Sequence, residues 1–334
     1  MKKKIAIIAG GDSSEYGVSL RSAAGIESFL NHEQYDITTV LLRGKDWKAQ
    51  VKSPEAKEEW VDIDKNDFSF TYKGVKNTFD FAYITIHGTP GENGLLQGYF
   101  DMLGIPYSCC GVLAAAMTFN KYTCNHYLKG FGVRVAESVL LRRKDDEAMK
   151  LEAQEIVEKV GLPCFIKTNV GGSSFGVTKV KTVEEVQPAI DKAFAEGDEV
   201  ICEAFMKGVE ITCGVYKTKN KAVAFPITEV VTSNEFFDYD AKYNGQVDEI
   251  TPARIPDDVR DKVQALTLKI YDILGCKGII RVDYILTENW TINLLEVNTT
   301  PGMTATSFIP QQIRAAGLNI GEVLSEIVED NFIV

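Results

Sequence analysis

The chain has no C-x-x-C pair and no paired zinc spacing among its seven cysteines at 109, 110, 124, 164, 202, 213 and 276. Cys124 and His126 are the only Cys and His close together, so neither a zinc finger nor a redox dithiol is encoded. The odd count, with several cysteines in apolar runs, reads as reduced core residues of a cytoplasmic protein. No Walker A motif occurs, and the first loop lacks the G-x-G-x-x-G fingerprint, which disfavours a P-loop NTPase and an NAD enzyme. Nothing reads as a membrane span, and the start MKKKIAIIAGG only mimics a leader: the apolar run 5–9 is too short and ends in Gly-Gly. A buried first strand is the expectation. The net charge of −11 argues against a nucleic-acid polyanion as partner, although a local basic pocket stays open.

What is present is an ordinary globular composition, 45% apolar and 25% charged, over 334 residues. That length exceeds one small core, so two or three domains are expected. Residues 5–9, 37–42 and 81–86 read as strands separated by helical or loop material, a small doubly wound parallel sheet. The loops GGDSSE at 10–15 and HGTPGENG at 87–94 follow two of these strands, where ligands of such sheets gather. Residues 45–78 are charged and irregular and read as a peripheral elaboration. One helical stretch spans 112–129, and strands at 137–141, 164–167 and 199–205 with helices at 146–160 and 183–195 suggest a second domain of mixed type. Further helices are expected at 256–274, 309–316 and 321–331.

Two segments carry chemistry. Lys167 ends a strand and leads into TNVGGSSFGV, a Gly/Ser loop able to close over phosphates through backbone N–H groups, though taken alone such a loop is more often a flexible hairpin turn. The stretch GIIRVDYILTENWTINLLEVNTTPGM at 278–303 reads as two strands joined at Thr287-Glu288-Asn289. Glu296 and Asn298, two apart, project to one face, and the turn folds Asp283 back beside them. Two carboxylates and an amide oxygen suit a hard cation such as Mg²⁺, and Arg281 on the same face suits phosphoryl or carboxylate oxygens. Glu203 and Glu210 flank a strand connection where carboxylates could accept from a nucleoside, and FDYDAKYN at 237–244 is a polar, aromatic loop of the kind that lines sites.

The order of flap, flanking carboxylates, Lys-Tyr loop and metal hairpin resembles the ATP-grasp superfamily and, within it, the D-alanine:D-alanine ligases. The specific matches are HGTPGENGLLQG at 87–98, FFDYDAKY at 236–243, GCKGIIRVD at 275–283 and LLEVNTTPGMT at 294–304. The resemblance implies an α/β and α+β, three-domain ATP-grasp fold whose N-terminal domain carries the doubly wound parallel sheet, divided as 1–113, 114–206 and 207–334. It implies ATP-dependent joining of two D-alanines for peptidoglycan precursor synthesis in the cytoplasm, by a homodimer using ATP and two Mg²⁺ ions, with Mn²⁺ as the alternative ion. Residue by residue, it puts Glu15 on the ammonium of the first D-alanine with His87 close by. Lys121, Lys167 and Ser174 go to the ATP phosphates, Glu203 to adenine, Glu210 to ribose, Lys242 to the transferred phosphoryl group, and Asp283, Glu296 and Asn298 to the metals. Ser173 and Tyr243 join Glu15 in closing the flap, Arg281 and the Gly302 N–H form the oxyanion hole, and Ser307 with Phe308 border the second substrate. Three positions depart from the pattern: Gly17 replaces a common glutamate, the flap reads KTNVGGSS rather than KPSREGSS, and Phe308 replaces a frequent leucine.

Overall fold

The computed structural model describes residues 2–52, 58–143, 151–172, 177–232 and 247–332. The chain opens with β1 (Lys3–Gly10), α1 (Tyr16–Phe29), β2 (Tyr35–Arg43), β3 (Asp46–Lys52), β4 (Glu58–Asp62), the hairpin β5 (Phe70–Tyr72) and β6 (Val75–Asn77), then β7 (Phe81–Ile84) and α2 (Leu95–Leu103). The first sheet runs β4-β3-β2-β1-β7, with β1 parallel to both β2 and β7. Because side chains alternate along a strand, Ile5, Ile7 and Ala9 join Ala23 and Ile26 of α1, while Ala6 and Ile8 join Leu96 and Phe100 of α2. Both faces of β1 are therefore covered, and each of its buried isoleucines contributes about 1.5–3 kcal/mol.

The expectation for residues 45–78 is corrected. β3 and β4 extend the sheet in antiparallel fashion, so the parallel core carries an antiparallel edge. β4, sequence EEWVD, is exposed at four of its five positions, the charged dress of an edge strand that hides its pairing from a periodicity reading. Trp47, Phe68 and Tyr99 then stack edge-on over this end of the sheet.

The stretch 112–129 is two helices, α3 (Val112–Phe119) and α4 (Lys121–Lys129), broken at Asn120, whose side chain accepts from the Thr123 N–H at 2.9 Å. Next come β8 (Ser138–Arg142), α5 (Ala153–Val160), β9 (Cys164–Thr168), β10 (Thr178–Val180), α6 (Val186–Glu196) and β11 (Glu199–Ala204), forming an antiparallel sheet β10-β9-β11-β8. Within the expected helix 146–160, residues 146–150 lie outside the described residues. The described part begins at Ala153 behind a reciprocal cap between Glu152 and Glu155.

The last sheet is β15-β14-β12-β16-β17, with β13 beside β12. Its strands are β12 (Val209–Lys217), β13 (Ala222–Ala224), β14 (Thr228–Thr232), β15 (Val247–Ile250), β16 (Ile279–Thr287) and β17 (Thr291–Asn298). Three helices accompany it: α7 (Asp257–Ile273), α8 (Phe308–Ala315) and α9 (Ile320–Phe332). One apolar cluster joins β1 and α1 to Tyr216, Phe225, Ile309 and Leu324, so the first and last sheets share a core.

Gly278, just before β16, sits at φ +67°, and a Cβ there would lie 2.0 Å from the Ser108 carbonyl oxygen. Gly278→Ala is expected to cost about 2 kcal/mol or more, read as a lowered melting temperature, because both the left-handed backbone and the clash oppose it.

Candidate active site

The hairpin β16–β17 sets Asp283 across from Glu296 and Arg281 across from Asn298, with a bulge after Asp283. The extra residue is Leu295 on β17; along β16 ordinary alternation puts Val282, Tyr284 and Leu286 in the core, where the Tyr284 hydroxyl lies 2.8 Å from that of Thr267, and leaves Asp283 in the cleft. Arg281 grips Asp283 with both prongs, Nε to Oδ1 at 2.9 Å and Nη2 to Oδ2 at 2.8 Å, and Asn298 Nδ2 donates to Oδ2 at 3.0 Å. Burial of the guanidinium works to lower its pKa, but Asp283 more than offsets this and leaves it raised. The Phe308 ring lies 5.3 Å from Arg281 Cζ, close enough for a cation–π contact.

Two lysines face this hairpin. Lys121, the first residue of α4, donates to the Gly171 carbonyl at 2.5 Å and lies 4.0 Å from Glu296. Burial holds its ammonium below the ordinary lysine value, although Glu296 works the other way. Lys167 on β9 pairs with Glu203 on the neighbouring β11; burial would lower its pKa, but Glu203 raises it overall. Against a net charge of −11, the cleft thus concentrates Lys121, Lys167 and Arg281.

Asn169 explains how Lys121 is aimed. Its carbonyl accepts from the Lys121 N–H at 3.1 Å and its Oδ1 from the Tyr122 N–H at 2.8 Å, while its Nδ2 donates to Glu199 at 2.7 Å. This fully buried amide ties the base of the flap to the helix start that carries the lysine. Asn169→Ala is expected to raise the KM for nucleotide several-fold, with about 1–3 kcal/mol lost from stability, since Tyr122 N–H and Glu199 each lose a partner.

At the other wall, Glu15 opens α1 and meets the flap: a Cβ on Gly172 would lie 2.7 Å from its Oε2, so glycine lets the two loops touch. Ser13 Oγ donates to the His87 carbonyl at 2.7 Å, joining the GGDSSE and HGTPGENG loops. Burial lowers the His87 pKa below the ordinary imidazole value. Gly302 ends the Thr300-Pro301-Gly302 turn, with Ser307 Oγ 3.0 Å from where its Cβ would be; Ser307 also caps Thr304, accepting from its N–H at 3.1 Å.

Glu15, His87, Lys121, Lys167, Glu203, Glu210, Arg281, Asp283, Glu296, Asn298, Gly302, Ser307 and Phe308 all border this one cleft of about 1110 Å³. Ser173, Ser174, Lys242 and Tyr243 lie outside the described residues. The donor set fits a hard cation: Asp283, Glu296 and Asn298 offer oxygens only, and among the described residues no cluster of three His, Cys, Asp or Glu side chains forms a competing site. The hydroxyls of Thr212 and Thr300, buried without a hydrogen-bond partner, border the same cleft and await a polar ligand.

One group escaped the sequence reading. Glu92, inside the 87–94 loop, accepts from the Gly88 N–H at 2.6 Å, and desolvation pushes its carboxyl up to about 8. Its position within HGTPGENG was the available signal, but only the fold shows the carboxyl desolvated. A carboxyl whose folded pKa is raised takes up a proton on folding, so its stabilising contribution is complete below about 4.5 and is lost as pH rises through about 8. Glu92→Gln is expected to flatten the fall in melting temperature over that window.

The family profiles for the D-ala D-ala ligase N-terminus and C-terminus match residues 4–110 and 127–329. A D-alanine–D-alanine ligase of Phocaeicola vulgatus is 64% identical over 99% of this chain and 100% of its own length. The chain belongs to the D-alanine–D-alanine ligase family. Within the family's structures, the VanG D-Ala:D-Ser ligase of Enterococcus faecalis superposes with a TM-score of 0.87 at 31% identity, covering all of both chains. The D-alanine–D-alanine ligase of Bacillus anthracis complexed with ATP gives 0.76 at 26% identity, over 98% of this chain and 97% of that one. The likeness covers the mixed α/β architecture of several sheets.

Proposed function

We propose that this protein joins two D-alanines to D-alanyl-D-alanine at the expense of ATP, through an acylphosphate. The observation that carries the reading is the convergence, in one cleft, of Lys121 and Lys167, the oxygen donors of Asp283, Glu296 and Asn298, and Arg281 beside the Gly302 turn. A carboxylate of the first D-alanine attacks the γ-phosphorus, ADP leaves, and the new acylphosphate is attacked by the amine of the second D-alanine; collapse of the tetrahedral adduct expels phosphate. Lys121 and Lys167 hold the phosphates, Glu203 and Glu210 accept from adenine and ribose, and Glu15 near His87 binds the first ammonium. Arg281 and the Gly302 N–H stabilise the tetrahedral oxyanion, and Ser307 and Phe308 border the second substrate. Asp283, Glu296 and Asn298 would hold two Mg²⁺ ions, which would supply positive charge to the phosphoryl oxygens.

The same reading divides the chain at 1–113, 114–206 and 207–334, gives Ser173, Ser174, Lys242 and Tyr243 their flap and loop roles, and makes the protein a cytoplasmic homodimer serving peptidoglycan synthesis. No described helix is long and apolar enough to cross a membrane. ATP turnover with D-alanine, D-serine and D-lactate as second substrate tests the specificity: D-alanyl-D-alanine is expected to dominate, and a dominant D-alanyl-D-serine or depsipeptide product would overturn it.

A further inference from the structure

We infer that Ser22 is a positioning residue that fixes the Gly302 N–H for the chemistry. This rests on the proposed role of Gly302. Glycine at this position has more backbone freedom than any other residue, so a donor carried on it needs its neighbours held. Pro301 before it is locked by its ring and buried. After it, the Met303 N–H donates to Ser22 Oγ at 3.2 Å. Ser22 lies on α1 and is wholly buried, so no water competes for this bond. Three residues further along the same helix face, Gly25 comes so close to the Met303 carbonyl that a Cβ there would lie 2.3 Å from its oxygen. The helix therefore seats both polar groups of Met303.

The other end of the turn is held by the same assembly. His87 Nε2 lies 3.5 Å from Ser22 Oγ, and the Thr300 backbone lies close enough to the His87 ring to favour its protonated form. Ser22 and His87 thus grip the segment at Met303 and Thr300, on either side of Gly302. Since α1 begins at Glu15, the helix that presents the first-substrate carboxylate also sets the oxyanion donor. A hydroxyl buried in a helix face has no packing reason to be there; the bond to Met303 supplies one.

Ser22→Ala, Ser22→Thr and Ser22→Cys separate positioning from mere packing. Measured per folded enzyme, Ser22→Ala is expected to lower kcat for dipeptide formation about ten- to a hundredfold, with the KM for ATP within about twofold of wild type. Ser22→Thr, which keeps the oxygen, restores most of the rate; Ser22→Cys, a weak acceptor of similar size, falls between and serves where alanine does not fold. Unchanged kcat in Ser22→Ala, or in Ser22→Cys where alanine does not fold, would overturn the inference. So would equal losses in Thr and Ala, or a rise in the KM for ATP that accounts for the loss. Wild-type enzyme making no dipeptide would instead refute the proposed function.

Discussion

Arg281→Ala is expected to lower kcat for dipeptide formation on the order of a thousandfold while ATP affinity changes little. The guanidinium is only partly exposed, gripped by Asp283 and packed near Phe308, so in the proposed role its charge would be fixed before an oxyanion forms and no reorganisation would be needed as the adduct develops. Among the described residues its loss also leaves Asn298 as the hydrogen-bond partner of Asp283, and a buried carboxylate stripped of its cation costs several kcal/mol. The melting temperature therefore falls with activity, and the two effects are separated by Arg281→Lys. Lysine keeps a charge but cannot reproduce the two-pronged geometry, so stability recovers further than rate.

Glu296→Ala is expected to lower turnover on the order of a hundredfold or more and to raise the Mg²⁺ concentration needed for half-maximal rate. Glu296 stands across from Asp283, shares its strand face with Asn298 and lies 4.0 Å from Lys121, so in the proposed site one carboxylate would serve both the cation and the lysine. Removing it should also relax the ammonium of Lys121 further from its ordinary value, since Glu296 is the foremost group opposing desolvation there. A titration of rate against Mg²⁺ checks the first effect; an unchanged half-maximal concentration would remove Glu296 from the cation site.

The hairpin was the most legible part of the chain because a strand buries one face and presents the other, and a two-residue spacing of Glu296 and Asn298 survives any folding around it. β1 was legible for the opposite reason: buried on both faces, it is continuously apolar. Residues 45–78 were not, since an edge strand with EEWVD exposed at nearly every position shows no alternation. The break at Asn120 was hidden because it depends on partners remote in sequence: Asn120 Nδ2 and Asn169 Nδ2 both donate to Glu199. The KTN of the flap read as a departure from the family, yet its asparagine ties the flap base to α4. Ser22 carries no signal in sequence at all, a serine within a helix, and acquires meaning only when Met303 arrives 281 residues later.

In the proposed reaction one cleft activates a D-alanine carboxylate with ATP before the second amine attacks. D-alanine labelled with heavy oxygen in its carboxylate tests it most directly, because the oxygen that bridges to phosphorus leaves with the phosphate. One labelled oxygen should appear in the released phosphate for each dipeptide formed, with none in ADP. Unlabelled phosphate accompanying dipeptide formation would contradict the account.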